Sequence, residues 1–162
     1  MHDRNRPLAE GFFRALASRD ARRIASYLTD DVDWMSIGPA EMLSFYGPHR
    51  GKAAVMEVFE RRIPAVVDVT SYVTDLLLVD GDRAAGLNRL TGRLHATGRV
   101  MTCRLANFLR FEDGKVCEYR SLMDSFSTVE EIIGRRLDLH HGVAPISPAV
   151  MPFPAGTDLT WR

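Results

Sequence analysis

The chain has 162 residues, 46% hydrophobic and 26% charged, which suits one globular domain whose core needs no disulfide or metal staple. Lysine plus arginine and aspartate plus glutamate balance at 21 each, so the basic field behind most nucleic-acid binding is missing and no DNA or RNA partner is expected. Cys103 and Cys117 form neither a disulfide framework nor a metal-ligand spacing, no apolar run is long enough to span a membrane, and residues 1–7 lack a signal-peptide core. The expectation is a cytoplasmic protein with no metal, no cofactor and no membrane partner.

Leu8, Phe12, Ala15 and Leu16 recur at helical spacing behind Pro7, a residue suited to a helix's first turn. Asp20 has the place of an N-cap for a short second helix carrying Ile24 and Leu28. Residues 32–37 read as a strand, and 38–51 as a loop around Pro39, Gly47 and Pro48. A third helix over 53–63 presents Val55, Val58 and Phe59 on one face and is expected to stop at Pro64. From residue 66 the period changes to two, predicting strands over 71–79, 83–95, 99–111 and 116–124 with turn chemistry between them. Ser127-Thr128-Val129-Glu130 has the form of a capping box, which predicts a last helix from Ser127 to about Gly134. Beyond this domain, taken as residues 1–139, the prolines of 140–162 mark an extended arm. Its Val150, Met151 and Phe153 are expected to dock on a partner subunit or over a pocket mouth.

Two of these strands carry enough pattern to work out a register. A two-residue Thr97-Gly98 turn pairs Leu94 with Met101, Gly92 with Cys103, Leu90 with Leu105 and Asn88 with Asn107. That face is apolar with one polar pair at its far end. The other face, with Arg89, Thr91, Arg93, Arg104, Ala106 and Phe108, is mostly polar and is expected to contribute to a homodimer interface. In the next hairpin a three-residue loop with Gly114 at a bulge puts Cys117, Tyr119, Ser121 and Met123 on the apolar face, where a two-residue turn would put Glu118 and Arg120.

The segments 17–31, 47–52 and 108–116, in this order and spacing, resemble the superfamily of nuclear transport factor 2 and ketosteroid isomerase, and within it the SnoaL-like group. The likeness covers roughly residues 8–135. It implies an α+β fold in which a cone-shaped, curved antiparallel sheet is closed by N-terminal helices over one pocket. Phe12, Trp34, Ser36, Asn88, Leu90, Leu105, Asn107, Tyr119, Ser121 and Met123 are then the expected ligand-binding residues.

The family's chemistries can be tried position by position. For steroid isomerisation the resemblance puts Ser36 at the base, Phe12 at the tyrosine donor and Asn107 at the acidic donor, so no base remains to move a proton. For limonene epoxide hydrolysis it puts Asn88 at the arginine, Leu90 and Ser121 at the two aspartates, Trp34 at the tyrosine and Ser36 at the asparagine, and again no base remains. For a SnoaL-type cyclase, Asp124 is the nearest carboxylate, although its register turns it away from Ser121 and Met123; the alternative is a structural place in the entry turn of the last helix. Asn107 and Asp124 are therefore the catalytic candidates. The expected partner is a hydrophobic small molecule, a carbonyl or cyclic compound polarised by Asn107 and Asn88; the alternative is a non-catalytic binding or interaction module.

Overall fold

The computed structural model describes residues 5–138, so the proline-rich arm lies outside the described residues. Helix α1 (Arg6–Ser18) starts with a proline in its first turn and ends at Arg19 in the left-handed region; α2 (Ala21–Ser26) is capped by Asp20, whose carboxylate accepts from the backbone N–H of Arg22 and Arg23. Strand β1 (Leu28–Ile37) follows. Gly47–Arg50, expected to be loop, forms a short strand β2 antiparallel to β1, with Trp34 opposite His49. Helix α3 (Lys52–Glu57) leads into β3 (Val67–Asp80), β4 (Arg83–Leu94), β5 (Val100–Glu112) and β6 (Lys115–Met123), and α4 (Ser125–Ile133) closes the described chain.

Between α3 and β3 the helix does not stop at Pro64. It passes through a π-helical stretch, Val58–Arg62, and a last turn, Ile63–Val66. The cause is local. Proline has no N–H to give the carbonyl four residues back, and its ring crowds that carbonyl. Ile63 N–H reaches back five residues to Val58 O instead, and the wider turn makes room for the ring.

The six strands form one open sheet in the order β2-β1-β6-β5-β4-β3. All neighbours are antiparallel except β1 and β6, which run parallel, so the sheet is mixed at that seam. Two bulges bend β3, the longest strand, because Thr70 and Asp75 each have no opposite number on β4. Each bulge also shifts the alternation by one. Val67 and Val69, then Tyr72 and Thr74, then Leu77 and Val79 all turn inward, away from the exposed residues between them. The sheet curls into a cone, and α1 lies on its concave face. Gly86 allows that contact, since any side chain there would run into the Phe13 ring.

Both hairpin expectations need correction, and both keep the inward face except at Cys117, whose expected place Val116 takes. The β4–β5 ladder is slipped by two residues: Gly92 faces Met101, Leu90 faces Cys103, Asn88 faces Leu105 and Gly86 faces Asn107. Four residues, 95–98, close the loop, with Gly98 N–H bonding to Leu94 O and Leu94 N–H to Arg99 O. A slip of two leaves each side chain on its own face. In the β5–β6 hairpin, Asp113 and Gly114 both have positive φ and form the two-residue turn the sequence reading set aside, with Glu112 opposite Lys115. The extra residue sits further on. Phe111 pairs with Val116 and Arg110 with Glu118, so Cys117 is bulged out and Tyr119 and Ser121 return to the inside.

The core has two clusters. One centres on Phe12, wholly buried, whose ring meets Phe13, Tyr27, Trp34 and Tyr119 edge to face at 6.0–6.5 Å. The other joins Leu43, Val67, Leu94, Met101, Cys103 and Leu105 towards the β4–β5 turn. Burial pushes the Cys103 thiol up to about 12, with Glu131 and Asp124 adding to the shift, so it stays a neutral packing group.

Candidate functional site

Between the concave face and the helices lies a cavity of about 360 Å³. The helical side supplies Leu16 from α1 and Arg19 from its C-cap, Val58 and Phe59 from the π-turn, and Ile63 and Pro64 after it. The segment before β2 supplies Phe45 and Tyr46; β3 supplies Val67, Asp68, Val69 and Tyr72. Trp34 and Ser36 come from β1, Leu90 from β4, Leu105 from β5, and Tyr119 and Ser121 from β6. The only charged residues in this lining, Arg19 and Asp68, are exposed, so the charge sits where the cavity meets solvent. Elsewhere the polar atoms are hydroxyls and the Trp34 indole N–H.

At the inner end Trp34 and Tyr119, opposite each other on neighbouring strands, stack with ring centroids 3.6 Å apart and planes 17° from parallel. Phe59 closes edge-on against Trp34 at 5.7 Å. Trp34 Nε1 donates to Ser36 Oγ at 3.1 Å. Behind the stack a buried chain runs through the sheet: Thr74 Oγ1 donates to Asn88 Oδ1 at 2.8 Å, and Asn88 Nδ2 to Asn107 Oδ1 at 2.5 Å. Tyr72 also donates to Asn107 Oδ1, at 3.4 Å, and Asn107 Nδ2 donates to the Tyr119 hydroxyl. Burial raises the pKa of Tyr46, Tyr72 and Tyr119, so all three stay neutral donors; for Tyr119 hydrogen bonds from Ser121 and Asn107 oppose the shift without cancelling it.

Six of the ten expected ligand-binding residues line this cavity: Trp34, Ser36, Leu90, Leu105, Tyr119 and Ser121. The other four stand behind it. Phe12 is covered by the rings it supports, and Asn88 and Asn107 are fully buried with their amides engaged. Met123 accepts a hydrogen bond at Sδ from the Tyr46 hydroxyl, at 3.3 Å, outside the lining. The two asparagines therefore do not present their amides to the cavity; they hydrogen-bond Tyr72 and Tyr119, which line it.

Asp124 takes the entry-turn place that was its alternative reading. It is exposed and is the N-cap of α4, accepting from Ser127 N–H at 3.3 Å, so the helix begins at Ser125 and the capping box at Ser127 does not form. Sequence reasoning missed Tyr46 and Tyr72. The first sits beside a strand too short and too rich in glycine and proline to show alternation, and the second follows a bulge that breaks it. No cluster of three or more metal-ligating side chains occurs among the described residues. No helix among them is long and apolar enough to cross a membrane.

The open cone, its helical cover and the apolar cavity between them define a small-molecule-pocket fold of the nuclear transport factor 2-like kind. Residues 9–119 match the model of the SnoaL-like domain, and the chain belongs to that family. A candidate isomerase from Rhodopseudomonas palustris is similar at 32% identity, over 83% of this chain and all of that one, with a TM-score of 0.69. The fold is shared with an epoxide hydrolase of the limonene epoxide hydrolase-like type from M. tuberculosis, at 16% identity, 79% and 88% coverage and a TM-score of 0.63. It is shared too with a protein of ketosteroid isomerase-like fold from Catenulispora acidiphila, crystallised with trimethylamine, at 10% identity, 78% and 92% coverage and a TM-score of 0.65. No curated protein matches the chain.

Proposed function

We propose that the protein takes up a hydrophobic carbonyl or cyclic compound in this cavity. The observation that carries the reading is the lining itself: aromatic and aliphatic walls, neutral hydroxyls within, and charge only at exposed positions. A pocket of this kind excludes ions, because nothing inside compensates their desolvation, and it rewards apolar surface with a few placed hydrogen bonds. Chemistry on the bound compound would rely on polarisation by these hydroxyls. The interior lining holds no carboxylate, and this favours a second reading, a binding module without catalysis.

Two further parts of the reading concern context. The buried free thiols of Cys103 and Cys117 fit a reducing compartment, which supports a cytoplasmic protein. The outer sheet face supports a homodimer, for reasons given in the Discussion. The test of the pocket is uptake of neutral bicyclic probes such as 2-acetylnaphthalene, followed by calorimetry and by the rise in Tm that a ligand of the folded state imposes. Saturable binding at one site per chain, lost when Leu90→Trp fills the cavity, is the expected result. Absence of binding by any neutral probe overturns the reading.

A further inference from the structure

Arg19 stands where helix capping alone would favour glycine. It closes α1 in the left-handed region, at φ 58°, where a β-carbon is crowded and glycine or asparagine is the ordinary occupant. Its backbone N–H bonds to Leu16 O at 3.1 Å, a cap that glycine would make as well. The side chain is exposed and borders the cavity where it meets solvent. No hydrogen bond or ion pair engages its guanidinium among the described residues. A strained backbone that keeps a free charge at a pocket mouth points to use of that charge.

The carboxylates beside it are already engaged. Asp20 accepts from the backbone N–H groups of Arg22 and Arg23 as the cap of α2. Asp68, the other charged residue of the lining, has its carboxylate 3.0 Å from His95 Nε2. Arg22 and Arg23 are exposed on the next turn, and their side chains form no ion pair among the described residues. The turn from α1 to α2 is therefore a positive rim on an apolar cavity. Helix-end carbonyls would oppose an anion here, but two of them are occupied: Ala15 O accepts from Ser18 Oγ at 2.7 Å, and Leu16 O from the Arg19 N–H.

We infer that Arg19 anchors the carboxylate of an amphipathic acid whose ring body fills the cavity. The inference rests on the pocket reading above and narrows it to compounds with one acidic end. The head stays at the rim with water on one side, so no ion has to enter the apolar interior. A guanidinium takes a carboxylate through two parallel N–H···O bonds, and this decides which end of the ligand goes in first. Arg19 is thus a specificity-determining residue with no contact at the inner end of the cavity. At so exposed a position the gain is small, and it shows as a preference between ligands.

The test uses the full chain and a series of acids: 2-naphthylacetic acid and its homologues with one and two further methylenes, each against its primary amide. The neutral control is 2-ethylnaphthalene. At least one acid is expected to bind about three- to fivefold tighter than its amide at low salt, the worth of one exposed ion pair. The advantage should vanish in about 1 M salt, where screening acts within about 3 Å. Arg19→Gln should erase it, Arg19→Lys should keep part of it, and neither should change the affinity for 2-ethylnaphthalene. Arg19→Gly relieves the left-handed backbone, so it should raise Tm by a few degrees while losing the preference for acids, and a loss in a more stable protein is not misfolding. Acids that bind no tighter than their amides, or a preference that survives Arg19→Gln, overturn the anchor and leave the pocket standing. Failure of 2-ethylnaphthalene and of every amide to bind overturns the pocket and the anchor with it.

Discussion

Phe12 shows how one residue can matter to a cavity it does not line. Its ring supports Trp34 and Tyr119 from behind at 6.5 and 6.1 Å, and it is wholly buried. Truncation to alanine removes a large packed ring from a site with little freedom to collapse. Phe12→Ala is expected to cost about 3–5 kcal/mol, read from urea midpoints, with Phe12→Leu much closer to wild type. A second residue-scale expectation concerns pH. His95 faces two acceptors, Asp68 Oδ1 at 3.0 Å and Ala65 O at 3.2 Å, and the Asp68 hydrogen bond holds its pKa above the ordinary histidine value. A raised folded-state pKa means this contribution is complete below the unfolded value near 6.5 and fades as pH climbs through the folded one. NMR titration should find His95 protonating above a free histidine, and Asp68→Asn should bring it down. This pair is not legible in the sequence, since a partner twenty-seven positions away (Asp68, on β3) appears only once the strands are laid side by side.

At the scale of elements, the π-turn decides what the helix shows the cavity. In a regular helix Arg62 would lie seven residues, or about two turns, from buried Val55 and so on the same face. The extra residue in the turn rotates it out to pair with Glu57 at 3.3 Å, and Ile63 and Pro64 take the inward position. Pro64→Ala frees the backbone to return to four-residue hydrogen bonding. The expected result is Arg62 swung towards the cavity and binding of 2-ethylnaphthalene weakened on the order of tenfold, about 1.4 kcal/mol for a partly desolvated polar group. Adding Arg62→Leu should restore it; equal affinity in Pro64→Ala and wild type would show that the turn has another cause.

These elements also show where legibility ended. Strand alternation assigned inward faces correctly through a two-residue slip, and beyond the misplaced bulge from Tyr119 on, because parity is preserved there; between the two bulge positions it chose Cys117 where Val116 is in the core. Pro64 read as a stop because nothing local distinguishes a proline that ends a helix from one that widens it. Asp124 and Ser127 are both good caps, and which one serves is decided by where β6 ends. The destination of Asn88 and Asn107 was hidden for a different reason. Alternation says inside, yet whether inside means wall or cavity depends on Tyr72 and Tyr119, whose rings come between.

On the scale of the whole molecule, the outer sheet face is less polar than the sequence pattern suggested. Ile37, Leu122, Ala106, Leu87 and Leu76 are successive cross-strand neighbours over five strands, and all the large ones are exposed. Leu78, Ala85 and Phe108 form a second row beside them. Contiguous apolar rows of this kind mark a contact surface. A twofold contact between copies suits a stripe that runs straight across the sheet, because the same residues then meet themselves. Light scattering is expected to give a dimer mass at micromolar concentration, and Leu87→Asp, within the stripe, a folded monomer. A wild-type monomer over that range would refute the homodimer.

The bulges in β3 also bear on how the protein behaves in a crowded solution. This fourteen-residue strand is the last of the sheet that the described residues form, so among them one side of its backbone has no strand neighbour and could template another chain. Thr70 and Asp75 interrupt it twice, and Asp68, Asp75 and Asp80 place carboxylates along it. Arg89 grips Asp75 through two bonds of 2.7 and 2.8 Å, which fixes the second interruption in place. The bends that curl the sheet around its cavity thus also deny a straight edge to an incoming strand. Deleting Asp75 to regularise the ladder is expected to straighten the edge and leave it open to strand addition, read as a rise in thioflavin T fluorescence over wild type.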